Sequence, residues 1–177
     1  MKSVTVFCAS KNGMNPVYRE EAIALGKLLA EKGIKLVYGG GKVGLMGAIA
    51  DSVLKHGGKV MGIIPELLVE WEHQHTGIQE LLVVKDMHER KRLLYEHGDA
   101  AIVLPGGFGT LDEMFEMLTW NQLKIHDKKI YLLNSGGFYD GLVTHLKKLE
   151  EEGLLYDRLE ERVVVVSEVG SIGVRLW

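Results

Sequence analysis

The chain has little that would staple or stiffen it. Its 177 residues include one cysteine, Cys8, and three prolines. A single thiol excludes an internal disulfide and suits a reducing compartment, so the cytoplasm is the expected location. Aromatic residues make up only 7% of the chain. No apolar run approaches the roughly 20 residues that a membrane helix requires, and no membrane partner is expected. Neither sign of charge dominates: 21 Lys and Arg stand against 24 Asp and Glu, a net charge of −3. That balance implies no broad basic surface, and no nucleic-acid partner is expected. The opening stretch Met1-Lys2-Ser3-Val4-Thr5-Val6-Phe7 is too short and strand-like for a signal peptide.

What is present is a repeating rhythm. Short β-branched runs alternate with longer amphipathic segments, which argues for an α/β fold with a parallel sheet. The runs predict strands over 4–8, 35–38, 59–64, 81–84, 100–104, 129–133 and 162–166. Helices are expected over 15–32, up to about 56, and over 87–97, 110–123 and 139–152. The tail to Trp177 carries no clear pattern. No linker, repeat or low-complexity stretch divides residues 1–177, so one domain is expected.

Two of the strand-to-helix turns are rich in glycine. After the run 100–103 comes Leu104-Pro105-Gly106-Gly107-Phe108-Gly109-Thr110-Leu111-Asp112-Glu113. A glycine turn that opens a helix aims backbone N–H groups and a positive helix end at one spot, which suits a phosphate. The spacing Thr110-x-x-Glu113 also fits a capping box, a purely structural use. Capping does not need three glycines; close backbone approach to a ligand does. The other turn, Gly39-Gly40-Gly41-Lys42-Val43-Gly44, satisfies G-x-G-x-x-G in the right context. The next strand ends Gly62-Ile63-Ile64-Pro65, without the acidic residue that a nicotinamide dinucleotide site carries on the ribose. The pattern also lacks the Gly-Lys-Ser/Thr ending of a P-loop. A nucleotide-related role and tight packing of helix on sheet both remain open for these glycines.

A third element, Met87-His88-Glu89-Arg90-Lys91-Arg92, puts Arg90 and Lys91 beside an apolar helical stripe. Such a run is ordinarily a solvated charged face. An arginine turned toward a phosphate would instead supply bidentate, permanently charged hydrogen bonds. The histidines make no metal site, since His73 and His75 lie in a polar loop without a third ligand at usual spacing. Both are expected to be solvent-exposed. Cys8 has no visible partner for nucleophilic chemistry.

Together, Gly39-Gly40-Gly41-Lys42-Val43-Gly44-Leu45-Met46-Gly47, Asp86-Met87-His88-Glu89-Arg90-Lys91 and Pro105-Gly106-Gly107-Phe108-Gly109-Thr110-Leu111-Asp112-Glu113 resemble the Lonely Guy family. Its members are cytokinin riboside 5′-monophosphate phosphoribohydrolases, long labelled possible lysine decarboxylases. Thr119-Trp120-Asn121-Gln122-Leu123 is similar to that family too, and the likeness runs from Val4 to about Tyr156. It implies a Rossmann-like three-layer fold, a central parallel sheet with helices on both faces. It also implies hydrolysis of a nucleoside 5′-monophosphate, such as AMP or an N6-substituted relative, to free base and ribose 5-phosphate. Arg90 and Glu113 match the family's catalytic pair. Lys91, Thr119 and the run Gly107, Phe108, Gly109, Thr110, Leu111 and Asp112 match its nucleotide-binding positions, and Glu72 matches a further binding acid. Gly40, Gly41 and Gly106 are added as glycine-turn candidates for the substrate site. The resemblance further implies a homodimer with sites near the subunit boundary.

Two departures stand out. The first strand ends Cys8-Ala9-Ser10-Lys11 where similar proteins usually have Cys-Gly-Ser-Ser, and the loop 66–76 differs from its counterparts. Cleavage would build positive charge on the sugar, which an ionised Glu113 is suited to stabilise. No metal or redox cofactor is needed. The main alternative is a non-catalytic nucleotide or molybdenum-cofactor carrier on the same scaffold. A third, an amino-acid decarboxylase, rests on the old family label alone.

Overall fold

The computed structural model describes residues 1–69, 71 and 73–173. Among them seven strands form one sheet: β1 Ser3–Phe7, β2 Lys35–Tyr38, β3 Val60–Pro65, β4 Glu80–Val84, β5 Ala100–Val103, β6 Ile130–Leu133 and β7 Val163–Val166. Their spatial order is β4-β3-β2-β1-β5-β6-β7, and every neighbouring pair is parallel. Parallel strands need crossovers, and helices supply them. These are α1 Val17–Glu31, α2 Gly44–Lys55, α3 Met87–His97, α4 Phe108–Gln122 and α5 Asp140–Glu151, with short α6 Leu159–Arg162 and α7 Val169–Gly173.

Alternate side chains of the central strands feed two apolar layers. Val4, Val6, Leu36, Tyr38 and Ile102 pack toward Leu25 and Leu29 of α1, Ile49 and Val53 of α2 and Ile172 of α7. Phe7, Val37, Ala101 and Val103 point the other way, onto Leu94 of α3, Met114 and Met117 of α4 and Val143 of α5. Strands buried on both faces explain why the sequence shows continuous β-branched runs there instead of alternation. The three-layer α/β expectation holds.

The differences lie at element ends. The strand expected over 162–166 starts one residue later, because Arg162 closes the single turn of α6. The sequence offered no pattern for α7, which is too short to show a period. α4 starts at Phe108, two residues before the expected Thr110. Candidate Glu72 lies outside the described residues, as do residues 174–177. No helix among the described residues is long and apolar enough to cross a membrane.

One buried polar residue ties the far end of α4 to the sheet. Asn121 is almost wholly enclosed; its Nδ2 donates to the Lys128 carbonyl at 2.9 Å, and its Oδ1 accepts from Arg162 Nη1 at 2.6 Å. Truncation strands a carbonyl and a guanidinium N–H away from water. Asn121→Ala should therefore lower unfolding stability by about 1–3 kcal/mol. Thermal denaturation should register this as a drop of roughly 2–4 °C per kcal/mol.

Candidate active site

The chain winds outward from β1 through β2, β3 and β4, then returns to the other side of β1 for β5, β6 and β7. At such a reversal the loops leaving adjacent strands diverge and open a crevice at their carboxyl ends. A cavity of about 320 Å³ lies there. One wall is the turn after β1, with Ala9, Ser10 and Lys11, and a second is the start of α4, with Gly107 to Thr110 and Glu113. Gly39 at the end of β2, Met46 of α2, and Met87 and Arg90 of α3 complete it.

Each wall has a local cause. Gly107 caps α4 in an extended conformation and, lacking a side chain, makes no side-chain capping bond. Thr110 does not cap the helix, because Phe108 and Gly109 already occupy the first turn. Leu111 N donates to Gly107 O at 3.1 Å, closing that turn. The N–H groups that precede it in the helix have no intrahelical acceptor, so the positive end of α4 faces the cavity without a side-chain cap. Thr110 is buried, its methyl and hydroxyl filling the place a side chain on Gly106 would need. Phe108, by contrast, is 94% exposed at the rim.

Arg90 is 5% exposed. Its Nε donates to the Ile63 carbonyl at 3.2 Å and its Nη2 to the Gly39 carbonyl at 3.0 Å, so two strand ends fix its plane. Any side chain at position 39 would collide with Nη2, which makes that glycine a condition for the arginine. Half-buried Glu113 stands one turn inside α4 on the same cavity. A positive helix end, a held guanidinium and a carboxylate thus share one small space, which suits an anionic substrate reacting at a carbon that gains positive charge.

A sequence-family profile described as "Possible lysine decarboxylase" matches residues 46–173. A probable cytokinin riboside 5′-monophosphate phosphoribohydrolase of Arabidopsis thaliana is 43% identical over 175 residues, covering 99% of this chain and 87% of its own. A cytokinin riboside 5′-monophosphate phosphoribohydrolase of Rhodococcoides fascians is 44% identical over 169 residues, covering 95% and 85%. The chain belongs to the Lonely Guy family. Solved structures extend the likeness of fold. The molybdenum cofactor binding protein of Rippkaea orientalis superposes with a TM-score of 0.71 at 22% identity, over 100% of this chain and 99% of that one. The molybdenum cofactor carrier protein of Chlamydomonas reinhardtii reaches 0.72 at 19% identity, over 99% and 95%.

Of the residues that the Lonely Guy resemblance or the glycine turns singled out, Arg90, Gly107, Phe108, Gly109, Thr110 and Glu113 meet at the cavity. The other described candidates stand apart from it. Gly40 is packed under Ile64 and Leu81, and its carbonyl accepts from His75 N at 2.9 Å. Gly41 is bridged to Gln74. These two glycines serve the packing of the turn, and it is Gly39 that reaches the cavity. Gly106 and Leu111 lie behind the helix start, and Thr119 faces an apolar cleft between α4 and α5. Asp112 and Lys91 are paired with each other: Lys91 Nζ is 3.1 Å from Asp112 Oδ2 and also forms an ion pair with Glu116.

Burial by itself would lower the Lys91 ammonium. The hydrogen bonds and charges of Glu116 and Asp112 outweigh it and hold the group above the ordinary lysine range. Beside this clamp, Tyr95 Oη donates to the Glu113 carbonyl at 3.2 Å and approaches Glu116 Oε2 at 3.3 Å. Burial first, then the charges of Glu116 and Glu113, push the phenol well above its ordinary range, so it stays a donor. α3 therefore sets both the register of α4 and the place of Glu113.

Sequence reasoning missed Met46 and Met87, the apolar part of the cavity, since methionines in helices read as core. His75 was expected in solvent; it is 4% exposed, because its ring pairs with Asp51 beneath the loop. His73 is exposed as expected. Among the described residues no group of three or more His, Cys, Asp or Glu side chains could hold a metal ion.

Tyr95→Phe removes the tie between α3 and the Glu113 carbonyl. Urea unfolding should show a loss of about 0.5–1.5 kcal/mol for that bond, with the slope of the transition unchanged.

Proposed function

We propose that this protein hydrolyses the N-glycosidic bond of adenosine 5′-monophosphates, plain or N6-substituted, to free base and ribose 5-phosphate. The observation that carries the reading is the meeting of an uncapped α4 start, Arg90 and Glu113 in one cavity at the switch point. The family relationship supports it, since relatives more than 40% identical over most of the chain bear the name phosphoribohydrolase.

In this mechanism the N–H groups from Gly107 to Thr110 receive the 5′-phosphate, helped by the positive end of α4. That anchor fixes the ribose C1′ near Glu113. As the C1′–N bond lengthens, positive charge spreads over the sugar ring, and the Glu113 carboxylate stabilises it or accepts a proton from the attacking water. Water adds its oxygen to C1′, and the base leaves with the bonding pair and gains a proton. Arg90, held rigid by two carbonyls, orients Glu113 or donates to the departing base. Lys91, by sitting across Asp112 and Glu116, sets the start of α4. Glu72, Leu111, Asp112 and Thr119 remain proposed binding positions through the resemblance, and Gly106, Gly40 and Gly41 as candidates from the glycine turns.

Two further parts of the reading go with this one. A homodimer finds apolar surface in the exposed Leu123 and Ile125 beyond α4. A cytoplasmic setting suits a lone, reduced Cys8. A decarboxylase reading meets a specific obstacle, because a Schiff-base lysine must be a neutral amine and Lys91 is held charged by two carboxylates. The carrier reading draws only on likeness of fold.

The deciding assay incubates purified protein with AMP and, separately, isopentenyladenosine monophosphate, and follows free base and ribose 5-phosphate by chromatography. Release of both products from either substrate is expected. Glu113→Gln and Arg90→Ala should each cut turnover by about 10²–10⁴-fold while the circular-dichroism spectrum is unchanged. Near-normal turnover in either variant would sink its assigned role, and no release by the native protein would favour the carrier.

A further inference from the structure

We propose that His75 and Asp51 form a clamp that positions Arg90, which makes both of them positioning residues of the substrate site. The inference rests on Arg90 belonging to that site. It starts from a weakness in the turn after β2, where Gly39, Gly40 and Gly41 follow one another. Three consecutive glycines have no side chains to hold them and the largest conformational freedom of any residues. Yet the Gly39 carbonyl must stay in place, because it is one of the carbonyls that fix the Arg90 guanidinium.

The segment that returns from β3 to β4 supplies the missing restraint. Residues 40–42 and 73–75 meet in one antiparallel bridge. Lys42 N donates to His73 O at 2.9 Å, Gly41 bridges Gln74, and His75 N donates to Gly40 O at 2.9 Å. A single bridge beyond the ends of the strands is marginal without side-chain support. His75 provides that support from both ring nitrogens. Its Nδ1 accepts from Gly77 N at 3.1 Å, which places the ring proton on Nε2. That Nε2–H points at Asp51 Oδ1, 3.0 Å away on α2. The ring is enclosed and both nitrogens are used, so the histidine is built into the structure, not parked on it. The chain of contact runs from Asp51 through His75 and the Gly40 carbonyl to the adjoining Gly39 carbonyl and Arg90.

The test uses the full chain with His75→Ala, Asp51→Ala and Asp51→Asn, and two readouts. One is steady-state turnover of AMP. The other is hydrogen exchange of the Arg90 Nε–H, followed by NMR on protein with labelled arginine and assigned by its loss in Arg90→Lys. His75→Ala and Asp51→Ala should each lower kcat by about 10–100-fold at a temperature where the variants are folded, and should speed that exchange. Asp51→Asn keeps an oxygen for the His75 Nε2–H and should restore most of both. On an Arg90→Ala background, His75→Ala should add no further loss, since the pair acts as a unit. Unchanged kcat and exchange in folded His75→Ala would overturn the proposal, as would a full additional loss on the Arg90→Ala background. If the native protein turns over no substrate, the phosphoribohydrolase reading fails, and the exchange measurement still decides the clamp: faster exchange in His75→Ala upholds it, and unchanged exchange refutes it.

Discussion

The parallel pairing of β1 with β5 is the constraint on which the rest depends. Parallel strands all end at the same edge of the sheet, so every loop that follows one arrives on the same side. Because the winding reverses between β1 and β5, the two turns after them part instead of packing together. The cavity is the space they leave. The Gly39 turn, the start of α4 and the first turn of α3 all reach it because they follow strands or helices anchored in that one sheet. A site built this way inherits the rigidity of the sheet although its atoms sit in turns.

The two neighbouring cations Arg90 and Lys91 are held by different kinds of group. Burying a guanidinium costs several kcal/mol unless its donors are satisfied. Arg90 meets that cost with the carbonyls of Gly39 and Ile63, which carry only partial charge. The two carbonyls fix the plane of the guanidinium at the cavity wall. The next residue is held differently. Lys91 is matched by Asp112 and Glu116, so its charge goes into holding two helices together. Adjacent cations on one helix, 100° apart, thus divide into one that faces the cavity and one that staples α3 to α4. Tyr95 adds a hydrogen bond to the backbone of Glu113 itself, so the carboxylate is placed by its helix and not by a local loop.

Much of this was legible in the linear chain. Alternating β-branched runs and amphipathic stretches specify a parallel α/β sheet, because strands buried on both faces must be apolar throughout. The Pro-Gly-Gly-x-Gly turn marks the strand-to-helix turn that lines the cavity, and the motifs mark Arg90 and Glu113 beside it. The differences share a cause. Thr110 and Glu113 have capping-box spacing, yet the helix begins two residues earlier, since spacing alone does not say which residue is the cap. Gly40 and Gly41 were candidates because every glycine of a motif looks alike; burial under Ile64 and the pairing with residues 74 and 75 separates them from Gly39. His75 was read as a surface residue because nothing local to a polar loop tells that it folds under onto α2.

By itself, then, the sequence determined the fold class, the family and a short list of candidate residues, since these follow from local periodicity and motif. Only the tertiary structure decided which of those residues face one another. Residues 39, 90 and 113 are far apart in the chain, and no local rule relates them. They meet because the order of strands places the ends of β2 and β5 on either side of β1, and that order is set by packing of the whole sheet.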